Sequence, residues 1–192
     1  MAQTGRVLTQ QELRSEQQLV LAAQRDPRHF GVLYERYYES IFRFIYKRID
    51  DEALCADLCA DVFLKAMLHL GRYRFRGVPF SAWLYRIAIN EVNQYFRRHQ
   101  RQRVVSFDSG QFAAMAEEVV EDLHDAWQAR LLRAMQHLSI DEMQWIELRF
   151  FEQMPFKEIA AIYNITENNA KVRMHRLLKK LQKIMTPGPG NV

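Results

Sequence analysis

Only two cysteines, Cys55 and Cys59, occur among the 192 residues. Two thiols spaced i,i+4 on one helix do not make a disulfide framework. Small apolar side chains on a buried helix face explain them more simply than a pair of zinc ligands does. No apolar run approaches the roughly 20 residues that span a bilayer. The N-terminal stretch MAQTGRVLTQQELRSEQQ lacks the apolar core of a signal peptide. The expected setting is therefore a reducing cytoplasm, without membrane insertion. Glycine is scarce, with seven residues, and none lies in a phosphate-cradling loop. There is no nucleophile elbow and no carboxylate pair in a catalytic frame, and the six histidines are scattered without ligand spacing. The expectation is a chain that is not an enzyme, with no cofactor and no metal. No segment alternates convincingly at period two either, which argues against a sheet-based fold.

What is there is ordinary in bulk and specific in arrangement. A hydrophobic content of 48% and a charged content of 26% fit a soluble protein. A net charge of +4 admits a polyanionic partner without requiring one. Helical periodicity runs through nearly the whole chain and predicts an all-α fold. Helices are expected at about 11–25, 28–48, 52–70 and 81–103. In the second, Phe30, Leu33, Tyr34, Tyr37, Ile41, Phe44 and Ile45 recur at i+3/i+4 and should face a core.

Composition then shifts. Residues 104–125 contain no Lys or Arg and six acids, so taking them away from the +4 total leaves the remainder at +10. This segment reads as an acidic linker. It separates a first domain, 11–103, from a second, 126–185. The tail 186–192 (TPGPGNV) is expected to be disordered. In the second domain Trp127, Leu131, Leu132 and Met135 mark one helix. Ser139 and Glu142 form a capping box that starts another, running through Phe151 and ended by Pro155.

The segment 156–181 (FKEIAAIYNITENNAKVRMHRLLKKL) fits helix, tight turn, helix. Ala160 and Ala161 let the second helix cross closely, Asn164 tolerates a left-handed backbone, and Thr166 can cap that second helix. Ala170, Met174, Leu177, Leu178 and Leu181 share an inner face. Asn168, Asn169, Lys171, Val172, Arg173, His175 and Arg176 share the outer one. Amide and guanidinium groups suit base edges, and ammonium groups suit phosphates. A plain helical hairpin with a solvated basic face has the same residues.

The first domain holds a second cationic surface. On helix 81–103 an inward stripe is expected at Trp83, Leu84, Ile87, Ala88 and Val92. Another face collects Arg86, Asn90, Asn93 and Arg97, continued by Arg98 and Arg101. Ahead of this helix the loop 71–80 interleaves Arg72, Tyr73, Arg74, Phe75 and Arg76. Residue types leave two readings open. Either Tyr73 and Phe75 anchor the loop to the core while the arginines face water, or the rings stack on exposed bases beside a phosphate-binding ridge.

Two motif sets carry a family resemblance. ALCADLCADVFLKAM (53–67) followed by FSAWLYRIAINEVNQYFRR (80–98) resembles region 2 of the extracytoplasmic-function (ECF) sigma factors of bacterial RNA polymerase, in the sigma-70 superfamily. The second domain resembles their region 4, and block order and the acidic connector also match. The resemblance implies a promoter-specificity subunit, monomeric whether free or bound to polymerase. Its partners would be core RNA polymerase, through a coiled coil on the largest subunit and the flap, together with promoter DNA and an anti-sigma factor. Asp57, Asp61, Phe63 and Lys65 would bind polymerase. The loop and ridge would hold a base extruded from the −10 element and its backbone, and Thr166 with the outer face 168–176 would read the −35 element. The acidic linker would run toward the RNA exit path or serve as a spacer. The chain departs from the family at Ala60, Asn93, Leu138-Ser139, Asn164 and Asn168-Asn169-Ala170. A stand-alone helix-turn-helix regulator of duplex DNA is the alternative that the second domain alone would support.

Overall fold

The computed structural model describes residues 8–49, 51–99 and 127–185. Arg101, the acidic segment 104–125 and the tail 186–192 lie outside the described residues. The described residues contain helices and turns and no strand, and the chain divides into two compact units.

Side-chain oxygens start two helices and a 3₁₀ turn of the N-terminal unit. Thr9 starts α1 (Gln10–Arg25) with a capping box closed by Glu12. Asp26 accepts from the Arg28 amide at 3.0 Å and caps a 3₁₀ turn at Pro27–His29, whose proline is preset for the first helical position. This turn leads into α2 (Phe30–Tyr46). Asp51 caps α3 (Glu52–His69), accepting from the Leu54 amide at 3.0 Å. A 3₁₀ turn at Leu70–Arg72 and an irregular stretch then lead to α4 (Phe80–His99). Helix α3 packs on both α2 and α4, and α1 closes against α2 and α4.

The core of this unit takes Leu33, Ile41, Phe44 and Ile45 from α2, Cys55, Cys59 and Val62 from α3, and Phe80, Leu84, Ala88 and Val92 from α4. Full burial of a large apolar side chain contributes about 1.5–3 kcal/mol. The two thiols are part of this core, and burial, with Cys55 alongside, pushes the Cys59 thiol up to about 12. The expected α2 stripe holds at five of seven positions. Tyr34 is instead 40% exposed, because its ring lies on the rim of the α2–α3 seam against Phe63, centroids 4.8 Å apart. Tyr37 is half-buried, with its hydroxyl donating to Glu16 on α1. On α4, Trp83 and Ile87 are half-buried, while Tyr85, Ile89 and Phe96 complete the inner face.

In the C-terminal unit, α5 (Trp127–Met135) buries Leu131 and Met135 but leaves Leu132 41% exposed. The Ser139–Glu142 capping box forms as the spacing predicts, with Glu142 accepting from the Ser139 amide at 2.8 Å. It starts α6 (Ile140–Ile146), which widens into a π turn at Glu147–Phe151. The stop here is this π turn together with Gln153, whose φ of 52° is left-handed. Pro155 begins the next helix instead of ending the last: its carbonyl accepts from Glu158 and Ile159. Helices α7 (Phe156–Tyr163) and α8 (Glu167–Met185) come next, and α8 packs on α5 and α6. Among the described residues no helix is long and apolar enough to cross a membrane.

Candidate nucleic-acid interface

The loop between α3 and α4 is held from below and charged on top. Val78, Pro79 and Phe80 are buried, and Gly77 adopts a φ of 68°, a region side chains avoid. The Tyr73 ring turns inward, edge-on to Phe80 at 5.2 Å and tilted against Trp83 at 5.0 Å. Burial, together with nearby Glu16, pushes its phenol up to about 12. Arg72, Arg74 and Arg76 are exposed and Phe75 is half-buried. Arg74 donates to the carbonyls of Gly71 and Tyr73 at 3.2 and 3.1 Å, which keeps its guanidinium close over the loop backbone. Tyr73, half-buried like Phe75, is thus the ring that anchors the loop, through its contacts with Phe80 and Trp83.

Behind the loop, Arg86, Asn90 and Arg97 are exposed on one face of α4 and Asn93 is half-buried there. At the helical rise, Arg86 to Arg97 spans about 16 Å. That length equals roughly five phosphate spacings of one strand. Arg98 is exposed at the end of this ridge.

On α3, Asp57 and Asp61 are exposed one turn apart. The other two residues expected to bind polymerase do not belong to that surface in the same way. Phe63 is 3% exposed and packs between Phe30, Tyr34 and Tyr38, so it is core. Position 63 falls on the α2-facing side of α3, although its sequence neighbours at 61 and 64 face outward. Lys65 reaches across to Glu91 on α4 and pairs with it, not with Asp61. Leu64 and Leu68, 49% and 68% exposed, extend the face of Asp57 and Asp61 instead.

At the end of α7 Asn164 takes a φ of 55°. The Ile165 amide then reaches the Ala160 carbonyl at 3.0 Å, and the Asn164 amide points to Ala161 at 3.4 Å. This pair of bonds is a Schellman ending of α7. Two residues on, Thr166 caps α8 by accepting from the Asn169 amide at 3.2 Å. Ala170, Met174, Leu177 and Leu181 are buried and Leu178 is half-buried. Asn168, Asn169, Lys171, Val172, Arg173, His175 and Arg176 are all exposed along the other side, as the periodicity predicts. Lys171 pairs with Glu167 at 2.7 Å, and the Arg173 guanidinium sits 4.7 Å from the centroid of the Trp145 ring. Lys180 donates to both oxygens of Glu142 at 2.8 and 2.7 Å, tying α8 to the capping box of α6.

Both blocks match known families. The family model for Sigma-70 region 2 covers residues 33–102, and that for Sigma-70, region 4 covers 128–181. The RNA polymerase sigma-H factor of Pseudomonas aeruginosa is 30% identical over 192 residues, covering 94% of this chain and 97% of that protein. The chain belongs to the sigma-70 family, as an ECF sigma factor. The ECF RNA polymerase sigma factor BldN of Streptomyces coelicolor is 29% identical over 158 residues, which is 81% of this chain and 60% of that longer protein. In fold, this sigma factor is similar to CnrH, solved in complex with the cytosolic domain of CnrY, with a TM-score of 0.59 at 22% identity over 89% of this chain and 97% of that one.

Sequence reasoning missed three polar residues that tie these helices and the loop together. Glu16 is buried among α1 positions otherwise apolar, accepting from the Phe80 amide at 2.7 Å. Its carboxyl is raised above the ordinary value, by burial first, against the opposing pull of the Phe80 amide and Arg36. Gln24 donates to two loop carbonyls, and Glu91 holds Lys65. A signal for Glu16 existed, since it falls within the stripe of Leu13, Val20 and Ala23.

Proposed function

We propose that this sigma factor brings two cationic surfaces to a promoter while RNA polymerase supplies the chemistry. The chain itself carries no catalytic group and acts as a monomer in the cytoplasm. The loop 71–80 takes a base swung out of the −10 element, with Phe75 as its stacking ring, Arg72, Arg74 and Arg76 on the flanking phosphates, and Tyr73 as the anchor beneath. Arg86, Asn90, Asn93, Arg97 and Arg98, with Arg101 beyond them, follow the strand backbone. Removing a base from the stack costs a few kcal/mol, and stacking on an aromatic ring returns roughly 1–3 kcal/mol, so ring and arginines are needed together. Thr166, Asn168, Asn169, Lys171, Val172, Arg173, His175 and Arg176 face the −35 duplex. The observation that carries this reading is the loop itself: three exposed arginines, with Arg74 bonded to the loop backbone, beside a half-buried aromatic anchor, and followed along the chain by the exposed basic face of α4.

Asp57 and Asp61, with Leu64 and Leu68 on the same face, dock a basic, partly apolar helix on the largest polymerase subunit, and the C-terminal unit meets the flap. An anti-sigma protein covers these surfaces when the factor is idle. CnrH, of similar fold, was solved with a protein partner, which is in keeping with this. The acidic segment 104–125 joins the −10 and −35 modules. In vitro transcription tests the whole: core polymerase with this chain should start at discrete sites that core polymerase alone ignores. Tight, specific duplex binding by the free chain, with no effect on start sites, would favour the stand-alone regulator instead.

A further inference from the structure

Helix α1 ends at Arg25, before residue 33, where the region 2 match begins. It nonetheless holds both ends of the arginine-aromatic loop. At the start of the loop, the Gln24 side-chain amide donates to the Leu70 carbonyl at 2.8 Å and to the Tyr73 carbonyl at 3.0 Å. One NH₂ group thus spends both its hydrogens on acceptors three residues apart. At the far end, Glu16 accepts from the backbone amide of Phe80, the first residue of α4, at 2.7 Å. The preceding residue, Pro79, has no side-chain acceptor, so α4 cannot be capped locally. Its orphan first-turn amide is satisfied by a carboxylate 64 residues away in sequence. Glu16 is itself 1% exposed and fixed by the Tyr37 hydroxyl on α2.

We propose that Gln24 and Glu16 are positioning residues for −10 base capture, and that α1 is the element that presets the loop. This rests on the base-capture reading of the loop. A loop left to fluctuate must be ordered at the moment of binding, which subtracts from what its contacts return. Bonds from one rigid helix remove that cost in advance, at Leu70 and Tyr73 on one side and Phe80 on the other. Neither residue touches DNA in this arrangement. Their effect is on how well the loop tells a base from an empty sugar, not on charge.

The test uses holoenzyme reconstituted with wild-type chain, Gln24→Leu, Glu16→Ala or Glu16→Gln. The probe is a fork-junction DNA from a promoter found by transcript-start mapping, either intact or with an abasic sugar at each single-stranded −10 position in turn. Wild type should prefer the intact base at one position by on the order of tenfold. Gln24→Leu and Glu16→Ala should cut that preference to about twofold, with polymerase assembly and −35 duplex binding unchanged. Glu16→Gln keeps an acceptor for the Phe80 amide and should retain most of the preference. If wild type discriminates and the variants discriminate equally well, the role of α1 is wrong and base capture stands. If wild type ignores every abasic position, base capture fails and takes the α1 role with it. Should Glu16→Ala not fold, Gln24→Leu decides alone, since Gln24 is only half-buried.

Discussion

The phenol of Tyr73 rests against the indole of Trp83 with ring centroids 5.0 Å apart, and both rings meet Phe80. The two aromatics of the loop therefore have different jobs. Tyr73→Ala should lower the stability of the N-terminal unit by about 1–3 kcal/mol, less than a fully buried aromatic costs, and promoter opening should fall with it. Phe75→Ala should change stability by less than about 1 kcal/mol yet reduce opening more than closed-complex formation. Thermal melting beside permanganate footprinting of the −10 strand separates the two. Equal stability losses would put both rings in the anchor.

Lys65 and Asp61 sit one turn apart, yet Lys65 is engaged with Glu91 on α4. Lys65→Ala should cost about 0.5–1 kcal/mol of stability, with a double-mutant cycle against Glu91→Ala recovering most of it. Its polymerase affinity should be nearly normal. Asp57→Arg with Asp61→Arg should do the opposite: normal melting, and polymerase affinity lowered at least about tenfold through like-charge contact. Fluorescence titration of core polymerase measures both.

On the proposed reading, the outer face of α8 mixes readers and holders. Asn168 and Asn169 lie in the first turn of α8, the part of such a helix that reaches base edges. Asn168→Ala should relax −35 selectivity by about 1–3 kcal/mol at one base pair. Lys171→Ala should weaken binding uniformly across sequences and lower the salt slope by about 1. Its pairing with Glu167 is between two exposed groups and, worth only a few tenths of a kcal/mol, does not hold it back from a phosphate. Holoenzyme binding to randomised −35 duplexes at several salt concentrations reports on both.

Two non-glycine residues carry left-handed backbone, Gln153 and Asn164. Gln153→Gly should raise the melting temperature of the C-terminal unit, by a gain of about 0.5–1 kcal/mol. Asn164→Val should destabilise by about 1–2 kcal/mol, because a β-branched side chain resists that conformation. Calorimetric melts of the two variants should move in opposite directions.

Glu142 and Glu16 both satisfy backbone amides at helix starts, but they titrate in opposite senses. For Glu142, burial pushes the carboxyl up, and the hydrogen bonds and charge of Lys180, with the bonds from Ser139, outweigh it and hold it below the ordinary value. Its stabilisation is therefore present above the ordinary carboxylate range and is lost as pH falls through the lowered folded value. For Glu16, burial dominates and the carboxyl is raised. That contribution is fully present below the ordinary value and is lost as pH rises through the raised one. Stability against pH for Glu142→Gln and Glu16→Gln, each subtracted from wild type, should give slopes of opposite sign.

The helices and the two outward faces were legible because they depend on local chemistry. The Ser139–Glu142 box, the Asn164 turn and the spacing of Asn168 through Arg176 each involve residues within a few positions of one another. Periodicity alone placed them on the correct side of α8. It failed at Tyr34, which lies on the rim of the α2–α3 seam, and it said nothing of Phe63 and Lys65, whose surroundings the neighbouring helices decide. The stop at Gln153 was missed because a π turn shifts the register by one residue without any change in composition.

By itself, the sequence determined an all-helical chain of two cationic blocks, each with its apolar stripe and its motif, since repeat distances and capping need nothing beyond the local chain. Only the tertiary structure decided that Tyr73 faces inward, that Lys65 meets Glu91, and that Glu16 caps a helix 64 residues away. Those outcomes depend on which side chains the packed helices bring together, and for the buried Glu16 a missing partner would cost about 1–3 kcal/mol.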